Sequence, residues 1–193
     1  MKVTNAAGLD DGFLAITSLS RAVGGSVQLP DVGSLLWVLL RQIVPCDAMA
    51  LFLPDATHEH VVVRYAAGAH AGLLHGVTRP AASGIAGWVA VNRRSVLNAE
   101  PVFDLGFRVR SSPALRSSVV VPLVDNGAVV AILALYSKDL LAFTDEHVSM
   151  LELLGPRLAL ALPVVDAAAV ADEDRPVETR PRPRLVTRQT TSA

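Results

Sequence analysis

Apolar residues recur at helical spacing over 10–23, where Phe13, Ile16, Ser20 and Val23 fall on one side and Gly24-Gly25 end the run. This predicts a modest amphipathic helix. Asp31 predicts the cap of a second helix over 32–44, closed by Pro45. From Leu35 to Leu40 that helix is apolar all round. A helix lying on one sheet hides about one stripe, so the first helix or a second subunit is expected to cover the rest. The pattern then changes to strands. The β-rich runs 47–54 and 60–68 are joined by the polar turn 55–59, residues 73–80 read as a third strand, and 95–98 as a short one. Between the last two lies a short apolar helix that opens on Gly84 and Gly87. The stretch 99–116 reads as a loop.

The clearest local signal is 117–137, where two apolar runs flank Asn126-Gly127, a pair suited to the positive φ angles of a tight hairpin turn. Both runs are apolar on both faces, as in central strands covered from either side. A last helix begins after Thr144, its expected cap, with Asp145 and Glu146 meeting the helix dipole. Pro156 should kink this helix and Pro163 stop it. From about Asp166 the chain turns to Pro, Arg and Thr, which cannot bury enough apolar surface to order itself. The expected organisation is an arm with a short helix (1–30), one folded domain (31–162) and a disordered tail (163–193). The fold class is α+β, a central antiparallel sheet with helices on its faces.

Composition removes several function classes. Net charge is −1 and aromatic residues make up 5%, so neither a basic footprint nor a base-stacking platform for nucleic acid is present. No apolar run reaches the ~18 residues of a membrane span, and the N-terminus lacks a signal-peptide core. A cytoplasmic protein without membrane attachment is expected. The single cysteine, Cys46, can form neither an internal disulfide nor a redox pair, and is expected to be a buried structural thiol. His58 and His60 lie in a turn without a Cys or carboxylate set at ligand spacing, so no metal is expected.

Three segments carry a resemblance. They are "VPCDAMALFLPD", "GIAGWVAVNRRSVLNAEP" and the run from Leu115 through the hairpin to Leu162. Within them stand Gly84, Gly87, Trp88, Val89, Ala90, Asn92, Arg93, Asn98, Leu115, Arg116, Ser117, Phe143 and Thr144. Together these resemble a GAF domain, and among GAF domains the modules found upstream of bacterial diguanylate cyclases. The resemblance implies a sheet with the N- and C-terminal helices on one face and, on the other, a pocket closed by a short helix and loops. It places Trp88, Asn98, Asp104, Arg116 and Ser117 as candidate ligand-binding residues at that pocket. Each also has a plainer reading. Trp88 would pack as core, Asn98 and Asp104 would fix turns through their own backbone, and Arg116 would pair with Asp104 at the surface.

Gly84-x-x-Gly87 is not a phosphate loop, because no Lys-Ser/Thr follows it. Phe103-Asp104 is followed by Leu105, which departs from the cyclic-nucleotide signature of the family, so that ligand is declined. The expected function is a non-catalytic sensory or regulatory domain in bacterial signal transduction. It would bind a small ligand or a partner such as a separate signalling output protein, with the cofactor unassigned. The alternative is a structural module that homodimerises through helix 32–44 and the terminal helices. A free methionine sulfoxide reductase, which the family includes, lacks its thiol pair here.

Overall fold

The computed structural model describes residues 28–106 and 115–162. The helix expected over 10–23, the tail beyond 162, the stop at Pro163 and part of the 99–116 loop lie outside the described residues. Helix α1 (Leu29–Ile43) begins three residues before the expected start. Pro30 sits in its first turn, where a missing N–H costs nothing, and Asp31 lies inside that turn and is not the cap. The helix ends at Val44, held extended ahead of Pro45.

Strands β1 (Ala48–Pro54) and β2 (His60–Gly68) form as the alternation predicts. The run 73–80 divides. Residues Ala71–Leu74 make one helical turn, α2, and only Thr78–Pro80 make strand β3. Gly76 at φ +73 turns the chain between them. Helix α3 (Gly84–Asn92) and strand β4 (Val96–Ala99) follow, then a helical turn, α4 (Val102–Leu105), inside the stretch read as loop. Strands β5 (Ser117–Asp125) and β6 (Ala128–Ser137) form the hairpin, with Asn126 at φ +47 and Gly127 at φ +80. Helix α5 (Asp145–Ala161) runs through Pro156. Thr144 caps it in a reciprocal arrangement: its hydroxyl accepts from the His147 N–H, and its own N–H donates to His147 Nδ1.

Six strands pair in the order β3-β2-β1-β6-β5-β4, every pairing antiparallel. Alternation divides the core into two layers. Met49, Leu51, Val119, Val121, Leu133 and Leu135 face one side and meet Leu36 and Leu40 of α1 with Leu151 and Leu158 of α5. Ala50, Phe52, Val120, Ile132, Ala134 and Tyr136 face the other, under Leu74 of α2, Ile85 and Val89 of α3 and Leu105 of α4. The hairpin strands are apolar on both faces because both faces are covered.

Helix α1 is not buried all round. Leu36 and Leu40 are inaccessible, while Leu35 and Val38 remain exposed. Trp37 lies over Gly68, where a Cβ would stand 2.7 Å from its ring, and the Arg41 guanidinium sits 5.6 Å from that ring's centre. None of the described helices is long and apolar enough to cross a membrane.

Candidate functional site

Helix α3 starts without help from its own cap residue, since Ser83 makes no side-chain bond to it. Its first N–H groups would then be orphaned inside the core. Asp104, contributed by α4, supplies what is missing: Oδ1 accepts from Ile85 N–H at 2.7 Å and from Ala86 N–H at 2.9 Å. A carboxylate at a helix N-terminus also meets the positive end of the helix dipole. Two glycines make this approach possible. A Cβ on Gly84, already at φ +71, would stand 2.7 Å from Asp104 Oδ1, and one on Gly87 would stand 2.5 Å from the Pro80 carbonyl oxygen. The paired glycines therefore serve close packing of α3 against α4 and the end of β3.

The arrangement is polar, buried and incompletely paired. Asp104 has no accessible surface, and its Oδ2 has no hydrogen-bond partner. Arg79 on β3 donates through Nε to the Asp104 main-chain carbonyl, and its guanidinium lies close to Gly106. Tyr136 on β6 is also wholly buried, and its hydroxyl is unpartnered. Burial pushes the Asp104 carboxyl above the usual carboxylate range, against the pull of the Ala86 and Ile85 N–H groups and of Arg79. Burial, and then the Asp104 charge, push the Tyr136 phenol well up, with Arg79 opposing.

The other residues singled out in the sequence lie elsewhere. Trp88 is on α3 but 43% exposed, so its ring does not pack as core. Asn98, at φ +50, neither fixes its own turn nor faces this cluster. Its amide accepts from Phe143 N–H at 3.1 Å and donates to Phe143 O at 2.7 Å, which ties β4 to the segment before α5. Arg116 is exposed and makes no ion pair with Asp104, whose cationic neighbour is Arg79. Ser117 alternates with Val119 and Val121, so it belongs to the α1/α5 side, and its hydroxyl donates to Asp139 O at 2.7 Å.

Arg79 and Tyr136 are the members that the sequence reading missed. Tyr136 carried a signal, being the one hydroxyl-bearing aromatic in an aliphatic strand. Arg79, next to Pro80 in a three-residue strand, carried none.

Cys46 packs against the α1/α5 layer, across the sheet from Asp104. Burial, reinforced by the adjacent Asp47 and only partly offset by Arg41, raises its thiol to about 11, so it stays protonated and a poor nucleophile at neutral pH. Among the described residues no group of three His, Cys, Asp or Glu is placed to hold a metal ion. His60 instead sits 3.1 Å from Asp55 across the β1–β2 turn.

The fold recurs among solved structures. The chain is similar to the GAF domain of a phosphoenolpyruvate-protein phosphotransferase from Acinetobacter, at 16% identity and TM-score 0.58, over 92% of this chain and 100% of that one. It is similar to the free methionine-R-sulfoxide reductase of Neisseria meningitidis, solved with its substrate, at 20% identity and TM-score 0.59, over 89% and 96%. A third likeness is the GAF-B domain of DevS from Mycobacterium smegmatis, at 18% identity and TM-score 0.53, over 74% of this chain and 94% of that one. Comparison with curated proteins finds no match. The sequence model of the GAF domain matches residues 30–162, well over half of the chain. With the six-stranded antiparallel sheet and its two helical layers, that match places this chain in the GAF domain family.

Proposed function

We propose that the chain is a non-catalytic sensory or regulatory module. A small ligand engages the α2–α3–α4 face of the sheet, and the response leaves through α1 and α5 on the opposite face to a separate output protein. The observation that carries this reading is the Asp104–Tyr136 cluster: two wholly buried side chains, each with an unpartnered oxygen, beneath α3. Such atoms are rare in folded chains, and a bound ligand would supply the partners they lack. The same strands bear both layers, with Ala50 and Phe52 on one side of β1 and Met49 and Leu51 on the other. A change under α3 therefore reaches the helical layer through one sheet thickness. A ligand that prefers one arrangement by ~1.4 kcal/mol changes their ratio about tenfold.

Similarity to a methionine sulfoxide reductase does not extend to the cysteine chemistry of this chain. Redox turnover of that kind needs thiols at the site, whereas the one cysteine here is protonated and packs on the far layer. Thermal-shift screening followed by equilibrium dialysis, with amino acids, nucleotides and tetrapyrroles, tests the sensory reading. A stoichiometric binder is expected; no binder and no protein partner would remove its support. The purified chain should leave free methionine sulfoxide unreduced with dithiothreitol present, and turnover would replace this reading with the enzymatic one.

A second reading, homodimerisation, is favoured by a separate observation. Leu35 and Val38 on α1 and Leu153 and Leu160 on α5 are exposed on the helical layer, the last two at 79% and 65%. The two readings are compatible, because a dimer formed by these helices would carry the response.

A further inference from the structure

We propose that the cluster at the N-terminus of α3 is a recognition subsite for an uncharged ligand edge bearing both a hydrogen-bond donor and an acceptor, of the amide or amino-heterocycle kind. This deepens the sensory reading and rests on it.

The ligand class follows from what each atom still lacks. Asp104 Oδ1 is already engaged by Ile85 and Ala86 N–H, so recognition falls to Oδ2, which as a carboxylate oxygen can only accept. The occupant must donate to it. The Tyr136 hydroxyl, buried and unpartnered, carries a proton that needs an acceptor. One ligand edge offering both would satisfy two atoms that are otherwise each unpaired in the core. Both side chains belong to the same side of the sheet: Tyr136 rises from β6 into the layer formed by Ile85, Ala86 and Leu105, and Asp104 bonds that layer's helix directly.

Charge decides between neutral and ionic ligands. The Asp104 carboxylate already has the α3 N-terminus and nearby Arg79 as compensation. An ammonium would lose its own hydration to enter and would be repelled by nearby Arg79. An anion would meet the carboxylate head-on. The rest of the buried layer to which Tyr136 belongs is largely aliphatic, with Val89, Leu105 and Ile132 among its members, which suits the face of a neutral ring. The competing occupant is an internal water, which could serve both oxygens.

The test uses the full chain as wild type, Asp104→Asn and Tyr136→Phe. Nicotinamide, adenine and cytosine serve as neutral probes, with methylammonium and acetate as charged controls, and binding is read by calorimetry and ligand-observed NMR. At least one neutral probe should bind the wild type. Asp104→Asn keeps an oxygen for the α3 N–H groups but turns the free acceptor into a donor, and should weaken that binding tenfold or more. Tyr136→Phe should weaken it at least threefold, while the melting temperature of the free variant equals or exceeds that of the wild type, since its hydroxyl has no protein partner to lose. Four results overturn the proposal. They are no binding by any neutral probe, equal binding by wild type and both variants, tighter binding of methylammonium or acetate, and a lowered melting temperature for Tyr136→Phe, which would assign the hydroxyl to internal water. If Asp104→Asn does not fold, Tyr136→Phe decides alone. A ligand from the wider screen that binds regardless of both substitutions ends this proposal and leaves the sensory reading standing.

Discussion

Asp104 is where one residue controls most. It joins α4 to α3 through a buried carboxylate, and the cost of that burial has a pH signature. Because burial raises its pKa in the folded state, the unfolded chain releases this proton first as pH rises. Its contribution to stability is fully present below the usual carboxylate range and is lost as pH climbs through the raised, folded value. Asp104→Asn has no such proton. The stability of Asp104→Asn relative to wild type, measured by urea denaturation across a pH series, should therefore shift in the variant's favour over that interval. A difference that stays flat with pH would show that Asp104 does not titrate as described. Asp104 itself was visible in the sequence, as a candidate at a loop. Its role was not, because the Ile85 N–H it accepts from lies 19 residues earlier and the arginine beside it lies 25 residues away. No local pattern encodes a contact at that separation.

Elements show the same division between what is local and what is not. The Asn126-Gly127 turn and the Thr144 cap formed where the residues predict, since both are decided by the φ angles or hydrogen bonds of adjacent residues. The third strand did not form over its full predicted length. Leu73 and Leu74 are apolar, as a strand would require, but α2 places Leu74 under the sheet from a helical turn instead. Glycines within helices have opposite meanings that only packing reveals. Gly87 is pressed against the β3 backbone, so Gly87→Ala should destabilise by about 1–3 kcal/mol through overpacking. A Cβ on Gly155 in α5 would meet the Pro122 carbonyl oxygen at an ordinary 3.6 Å, so Gly155→Ala should gain up to ~1 kcal/mol from helix propensity. Chemical denaturation of the two variants checks both signs; equal effects would refute the packing account.

At the scale of the whole molecule, two layers share one sheet, and the outward side of the helical layer holds apolar residues that no described element covers. Leu40 is inaccessible within the monomer and Trp37 is packed over Gly68, so substitutions there would report on folding and not on association. Val38 and Leu153 are the informative positions. If α1 and α5 join two copies, Val38→Glu with Leu153→Glu should halve the mass measured by light scattering and leave the circular dichroism spectrum unchanged. A wild-type chain that is already monomeric at high concentration would dismiss the dimer. The layered fold was legible because apolar-on-both-faces strands demand cover on both sides, and the order of the elements allowed few arrangements.

Sequence alone determined the elements that depend on neighbours in the chain: hairpin, capped last helix, most strands and the α+β architecture. It also marked a family through residues spread over most of the folded part. Tertiary structure decided which of the marked residues meet. Asn98 went to Phe143, Ser117 to the helical layer, Trp88 and Arg116 to the surface, while Asp104 met Arg79 and the start of α3, in the layer that also buries the unmarked Tyr136. The physical reason is that caps and turns are satisfied within a few residues. The partners of a buried charge are instead chosen by how the layers stack, and in strands apolar on both sides the alternation does not label which face is which.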